Sequence, residues 1–366
     1  MTDLDLSPDQ QAAVDRALAW AAKPGGRDLT MSGLAGTGKT AVVSHVIGLL
    51  PQIRVMAPTG RAAQVLRRKG VPARTVHSVI YDYLGTHKDE RTGEEFMAWR
   101  DKQDVDLPPL WCVDEASMIT GQMLDDLRAR GVPIWFVGDP GQLPPVGGVD
   151  PQLMVDADVK LTTIHRLAEG SAILDLAHAA RRGVAPVVGG DGAAQVRRAG
   201  SLGAMVDSWI RGGVDQVAVA YNSTRRAINA RWRLALGHRE RLVPGERLIC
   251  LLNDRSRGVY NGTIMRLLSV EGETEHGWQV KVEDDGGEVR CFAAWNGALG
   301  GAEWSSEDKP GDHVALDYGY CITVHRAQGG EWDCFAVVDQ PCRGWSMDRW
   351  RYTAYSRARK QLYVYV

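Results

Sequence analysis

The chain has 366 residues, 44% of them hydrophobic and 24% charged, so it is a globular polypeptide with room for two or three cores at about 150 residues per domain, and neither disordered nor fibrous. Its 43 Lys and Arg against 45 Asp and Glu leave a formal charge of −2, which excludes a global positive field; any nucleic-acid contact must use a local groove. No apolar run reaches the roughly 18 residues of a membrane span, and the acidic, polar start MTDLDLSPD is unlike a signal peptide, so a cytoplasmic chain without membrane contact is expected.

Ser7-Pro8-Asp9-Gln10 opens a helix, with Ser7 as N-cap, Pro8 at the first helical position and Gln10 placed to close a capping box. Short β-branched runs then alternate with helical patterns, as a parallel sheet with crossover helices requires, and candidate strands lie at 28–32, 53–57, 110–113 and 134–137. Residues 81–100 read as two arms around the turn-like Asp89-Glu90-Arg91-Thr92-Gly93, a β-hairpin inserted into the α/β unit. A strand at 216–220 and a helix at 224–236 open a second α/β unit. It is interrupted over 242–312 by β runs with turns at Asn261-Gly262 and Asp285-Gly286-Gly287, the pattern of a small barrel. Strand-like segments resume at 318–324, 334–338 and 362–366. The six cysteines form no C-x-x-C pair and no zinc spacing, which suits reduced thiols and no structural metal.

Gly33-Leu34-Ala35-Gly36-Thr37-Gly38-Lys39-Thr40 fits G-x4-G-K-[ST] between a predicted strand and a predicted helix. In such a loop the glycines let backbone N–H groups converge on a phosphate, the helix N-terminus adds positive potential, the lysine reaches the β- and γ-oxygens and the hydroxyl of Thr40 ligates Mg2+. Asp114-Glu115 ends an apolar strand. Asp114 can hold the Mg2+ of ATP and Glu115 can orient and deprotonate an attacking water, the bland alternative being a solvated acidic turn. Gly138-Asp139-Pro140-Gly141-Gln142 ends another apolar strand, and the amide of Gln142 can sense a γ-phosphate, or the segment is only a Pro-Gly loop.

Taken in order, these segments resemble the superfamily 1 helicases, and most closely the compact RecD-like and Dda-like branch, superfamily 1B. Leu6 to Gln10 is similar to the adenine-reading Q motif. Ala57-Pro58-Thr59-Gly60-Arg61-Ala62-Ala63 resembles motif Ia, Thr75-Val76-His77 motif Ib, Asp114-Glu115 motif II and Gly138 to Pro145 motif III. Thr162 to Arg166 resembles the segment carrying one arginine finger, Tyr320 to Glu331 motif V, and Tyr352 to Ala358, with Arg357, motif VI.

The resemblance implies an α/β chain of two RecA-like P-loop NTPase lobes. The first would span 1–80 and 107–165, with a hairpin or pin insertion at 81–106. The second would span 166–241 and 313–366, with an SH3-like β-barrel insertion at 242–312. It implies hydrolysis of ATP with Mg2+ by Lys39, Asp114, Glu115, Gln142, Arg166 and Arg357, and nucleotide contacts extending to Gln10, His165, Gly329 and Glu331. Pro58, Thr59, Gly60, Arg61, His77, Thr323 and His325 sit where the family contacts single-stranded DNA; for the histidines a core or capping role stays equally open. Two departures stand out: His165 replaces the usual adenine-stacking tyrosine, and Arg326 replaces the commoner lysine of motif V. The implied protein is a monomeric motor that moves 5′-to-3′ on single-stranded DNA and unwinds forked or tailed duplex, or else a translocase that strips proteins without unwinding. Phe96 and Trp99 on the hairpin would serve as a strand-separating pin, or merely pack the hairpin down.

Overall fold

The computed structural model describes residues 6–88, 95–102, 107–145, 150, 152–165, 168–190, 192–254, 257–300, 308–342 and 344–366. The chain divides into two compact units, the first made of Met1–Asp82, Arg100–Arg182 and Asp348–Ser356, the second of Tyr83–Trp99, Gly183–Met347 and Arg357–Val366.

In the first unit the strands β1 (Leu29–Gly33), β2 (Ile53–Ala57), β3 (Ala73–Thr75), β6 (Leu110–Val113), β7 (Ile134–Gly138) and β8 (Val159–Leu161) form one parallel sheet in the order β3-β2-β6-β7-β1-β8. Every residue of β6 and β7 is buried, as parallel strands covered on both faces must be. Helices α1 (Pro8–Ala22), α2 (Lys39–Leu49), α3 (Gly60–Arg68), α4 (Val76–Ile80), α5 (Gly121–Arg128) and α6 (Ala168–Arg181) accompany the sheet. The core joins Val14 and Ala17 of α1 to Val42 and Val46 of α2 and to the strand residues Val55, Cys112 and Val137. α1 begins as its sequence dictates: Ser7 Oγ accepts from Gln10 N at 3.4 Å, and Gln10 Oε1 accepts from Ser7 N at 3.1 Å. The strands β4 (Tyr81–Lys88) and β5 (Glu95–Asp101) pair as a two-stranded sheet at the position read as a hairpin, whose expected turn lies outside the described residues.

In the second unit β9 (Ala194–Arg197), β10 (Gln216–Val219), β16 (Cys321–Thr323), β17 (Trp332–Val338) and β18 (Ala358–Tyr365) form a second parallel sheet in the order β16-β10-β17-β18-β9. Helices α7 (Leu202–Arg211), α8 (Asn222–Ala235) and α9 (Val324–Ala327) belong with it, and α10 (Met347–Tyr355) lies almost wholly in the first unit. Between α8 and β16 the chain closes a barrel of β11 (Arg247–Cys250), β12 (Ile264–Thr274), β13 (Gly277–Asp284), β14 (Val289–Trp295) and β15 (His313–Tyr318). The barrel shares one apolar core with the sheet, in which Val217, Ile228 and Trp232 meet Leu248, Leu267, Val280 and Phe292.

Two expected boundaries move. The barrel was expected to end at 312, but β15 is its closing strand, antiparallel to β11 and parallel to β14, because only a fifth strand removes both open edges. The first lobe was expected to end at 165, yet α6 belongs to the first unit, where its Leu174 lies so close to Gly36 that a Cβ there would sit 2.7 Å from Leu174 Cδ1.

Candidate nucleotide site

β1 ends at Gly33 and α2 begins at Lys39, so the five-residue turn between them places backbone N–H groups at a helix N-terminus. Gly36 and Gly38 have φ of 87° and 79°, a region costly for residues with a Cβ. A Cβ on Gly38 would in addition lie 2.2 Å from Gln10 Nε2. Gln10 is itself buried; its Nε2 donates to Thr37 O at 3.1 Å while its Oε1 closes the capping box, so one amide serves both the helix cap and the loop. The neighbouring Asp9 accepts from Ser7 Oγ and from the backbone N–H groups of Thr162 and Thr163. Burial would raise its pKa, but these hydrogen bonds outweigh it and hold Asp9 well below the usual carboxylate range. His165 N in turn donates to Gly36 O at 2.9 Å, and the exposed His165 ring lies 3.9 Å from Asp9.

Lys39 Nζ donates to Gly33 O at 2.6 Å and Leu34 O at 3.2 Å and lies 3.6 Å from Asp139 Oδ2. Thr40 follows in the first turn of α2, partly buried. Asp114 and Glu115 leave the carboxyl end of β6, Glu115 with φ of 56°, a left-handed conformation uncommon for a residue with a Cβ. The Asp114 carboxyl is pushed up to about 7 by burial first and by the adjacent Glu115 second, with Lys39 opposing. Gln142 Nε2 donates to Glu115 Oε2 at 3.3 Å. Gln142 Oε1 and Ser117 Oγ are buried with no hydrogen-bond partner among the described residues, as polar atoms aimed at a bound group would be. Lys39, at the start of α2, and Asp114, Glu115 and Gln142 on their loops thus all follow the carboxyl ends of β1, β6 and β7, three adjacent strands.

The sequence reading passed over two residues that the fold ties into this group. Asp139 is wholly buried; its Oδ1 accepts from Gly141 N at 2.9 Å and its Oδ2 from the Tyr352 hydroxyl at 2.7 Å. The same hydroxyl accepts from Ala35 N at 2.7 Å, inside the phosphate loop. One residue on, Thr353 Oγ1 accepts from Leu143 N at 2.9 Å, so α10 is bonded to two loops of the first unit. Both residues stood inside motif-like segments, but nothing short of the contact across 213 positions pairs them. The buried His178 ring lies 5.8 Å from that of Tyr352, and burial, opposed by Asp139, lowers its pKa.

The remaining expected residues are spread more widely. Arg166 lies outside the described residues, as do the side chains of Phe96 and Trp99. Arg357 belongs to the second unit, buried, with Nη1 donating to Gly330 O at 3.5 Å. There Gly329 is buried with φ of 72° and Glu331 is exposed. In the first unit Pro58 is partly buried, Thr59 caps α3 by accepting from Ala62 N at 3.1 Å, and Gly60 and Arg61 are buried in its first turn. His77 sits in α4 with its ring 5.4 Å from Tyr81. In the second unit Thr323 is at the N-cap of α9 without a side-chain cap bond, His325 packs edge-on to Trp345, and burial lowers the pKa of His325 and of Arg326.

The family described as AAA domain matches residues 5–204, and the one described as UvrD-like helicase C-terminal domain matches residues 318–365. The ATP-dependent RecD2 DNA helicase of Deinococcus radiodurans is 29% identical, over 98% of this chain and 48% of that protein. The ATP-dependent DNA helicase PIF1 of Mus musculus is 23% identical, over 90% of this chain and 55% of that protein. The chain therefore spans about half the length of these curated relatives. Among solved structures, a Pif1 helicase from Bacteroides in complex with ADP-AlF3 and ssDNA shares the fold with a TM-score of 0.64 at 18% identity, over 99% of this chain and 92% of that one. The AAA match over more than half of the residues, on a glycine-rich loop and paired carboxylates built as above, means that the chain belongs to the AAA-domain family of P-loop proteins, and its similarity to RecD2 and PIF1 DNA helicases is consistent with helicase superfamily 1B.

Proposed function

We propose that the protein is a DNA-dependent ATPase that moves 5′-to-3′ along single-stranded DNA and unwinds forked or tailed duplex, acting as a cytoplasmic monomer. The observation that carries the reading is the convergence of Lys39, Asp114, Glu115 and Gln142 at the carboxyl ends of three adjacent strands, with Gln142 bonded to Glu115. The similar proteins include two DNA helicases and a helicase in complex with single-stranded DNA, which supports DNA as the partner. Among the described residues no helix is long and apolar enough to cross a membrane.

ATP would lie with its β-phosphate on the N–H groups of Gly36 to Thr40 and its γ-phosphate toward Lys39 and Gln142. The donors fit Mg2+: one hydroxyl, Thr40, and one carboxylate, Asp114, leave room for the water and phosphate oxygens this ion prefers, and no group of three or more His, Cys, Asp or Glu suited to a softer metal occurs among the described residues. A buried carboxyl raised toward neutrality beside a second carboxylate is also what a divalent cation would relieve. When bound, the ion would neutralise charge on the phosphate oxygens. Glu115 then orients and deprotonates the attacking water, Gln142 holds Glu115 and senses the γ-phosphate, and Arg166 and Arg357 act as the arginine fingers. Gln10 and His165 stand on the adenine side and Gly329 and Glu331 complete the nucleotide contacts, while Pro58, Thr59, Gly60, Arg61, His77, Thr323 and His325 follow the DNA strand and Phe96 and Trp99 separate the duplex.

The test is ATPase turnover with and without single-stranded DNA, followed by unwinding of 5′- and 3′-tailed duplexes. Stimulation by the strand and unwinding of the 5′-tailed substrate are expected. Turnover indifferent to DNA would overturn the motor, and unwinding only from a 3′ tail would reverse the direction.

A further inference from the structure

β16, β10 and β17 are adjacent parallel strands, and the segments leaving their carboxyl ends deliver three aromatic rings to one place. Tyr221 stands at the N-cap of α8 just past β10, His325 lies in α9 just past β16, and Trp345 lies on the connection from β17 to α10. The Tyr221 and Trp345 rings are 6.5 Å apart with 20° between their planes, and the His325 ring meets Trp345 edge-on at 4.5 Å and 68°. Tyr221 and Trp345 are 38% and 40% exposed, whereas Trp111, Trp135, Trp209 and Trp350 are each below 2%. Four tryptophans therefore serve as core, and Trp345 presents its ring to solvent at the edge where open α/β sheets bind ligands.

The arrangement is held in place. The Tyr221 hydroxyl donates to Pro341 O at 2.7 Å, which fixes its ring, and His325 braces Trp345. Burial favours the neutral form of the His325 imidazole, so the three rings present π surface without formal charge of their own. A flat, rigid and neutral π surface matches one chemical partner well, the face of an unpaired nucleobase, and it does so for every base alike. Thr323, whose hydroxyl makes no cap bond, stands two residues before His325, a short hydroxyl that can donate to a neighbouring phosphate.

We propose that Tyr221, His325 and Trp345 form a stacking shelf for a nucleobase of single-stranded DNA, with Trp345 as its contact face. The shelf rests on the DNA-translocase reading above and adds to it a site that holds the strand by its bases rather than by its phosphates.

The test is fluorescence anisotropy of the intact protein with a labelled oligothymidylate and with the same oligonucleotide carrying abasic sites. Wild type is expected to bind the intact strand about tenfold more tightly than the abasic one. Trp345→Ala should lose about that factor for the intact strand and nothing for the abasic strand, Trp345→Phe should restore most of it, and Tyr221→Leu should lose part. Unchanged binding of the intact strand by Trp345→Ala, an equal loss for both strands, or a wild type that does not discriminate them would each overturn the shelf. If Trp345→Ala fails to fold, Tyr221→Leu carries the same comparison, with a loss expected for the intact strand alone and unchanged binding or an equal loss for both strands overturning the shelf. A wild type that binds neither strand would overturn the DNA reading itself, and the shelf with it.

Discussion

The two parallel sheets end their strands in opposite chemistries. From the carboxyl ends of β6, β7 and β1 come Asp114, Glu115, Asp139, Gln142 and Lys39, which are charged or amide groups, mostly buried, tied by hydrogen bonds to one another and to the phosphate loop. From β16, β10 and β17 come Thr323, His325, Tyr221 and Trp345, neutral and largely aromatic, two of them well exposed. The same architecture therefore presents at one edge a pre-organised electrostatic site, where burial makes each charge count, and at the other a surface suited to many sequences of one polymer. The charges the second unit does bury are of another kind: Arg225 pairs with Asp317 at 2.7 Å, and Glu246 accepts from Arg233, all far more buried than a solvated face allows.

The largest effect should come from the charged edge. Lys39→Ala is expected to lower turnover by at least about a hundredfold and to weaken ATP binding, whereas Glu115→Gln should lower turnover by about 10²- to 10⁴-fold and leave ATP affinity near wild type, since one removes the proposed phosphate cation and the other the proposed base. Steady-state turnover with a fluorescent-nucleotide titration reads both, and near-normal turnover in either variant would break the contrast between the edges.

Next in size is a change that should touch stability alone. Arg225→Ala leaves the Asp317 carboxylate, 2% exposed, without its cation and should cost about 3–5 kcal/mol in urea denaturation. A variant that keeps its stability but loses ATPase would place that pair in the chemistry after all.

Tyr352→Phe sharpens the comparison, because it removes only the hydroxyl joining Ala35 N to Asp139. We expect kcat to fall about tenfold with ADP affinity within about twofold, since a lost buried hydrogen bond costs about 1–3 kcal/mol and the N–H groups that would meet the β-phosphate are untouched. Thr353→Val, which unties the same helix from Leu143 without touching the phosphate loop, should leave kcat within about twofold. Equal losses of kcat in both variants would mean that α10 matters only as an anchor.

The smallest effect belongs to the amino edge of the first sheet, where Asp158 accepts from Thr30 N at 2.9 Å and Thr30 Oγ1 at 2.7 Å. Burial works against these bonds but does not outweigh them, so its pKa lies below the ordinary 3.8. With the folded value depressed, the stabilisation is fully present above the unfolded pKa and is lost as pH falls through the folded one. Wild type should therefore lose about 0.5 kcal/mol below pH 4 that Asp158→Asn does not lose, a small figure because the group is partly solvated. Urea midpoints across that window check it, and a loss that persists in the variant would assign the effect to another carboxylate.

Much of this is legible in the sequence. The strands over 53–57 and 110–113 form at their expected residues, because an unbroken apolar run between turn signals admits little else in a doubly covered sheet. The Ser7-Pro8-Asp9-Gln10 start caps its helix, and the phosphate loop sits between strand and helix, since caps and glycine turns are settled within a few residues. The short strands β3, β8 and β9 were not read, for three or four residues carry no usable period and exist only because a neighbour pairs with them.

By itself, then, the sequence determined the class of the chain, the order of its motifs and which loop has the glycine-rich form proposed to cradle phosphate, since each depends on spacing within one segment. Only the tertiary structure decided which distant groups meet. It set Tyr352 on both Ala35 and Asp139, assigned β15 to the barrel, placed α6 against the phosphate loop, and gathered Tyr221, His325 and Trp345 at one edge. The physical reason is that strand order sets which carboxyl ends lie side by side, and strand order follows from how the whole core packs rather than from any local pattern.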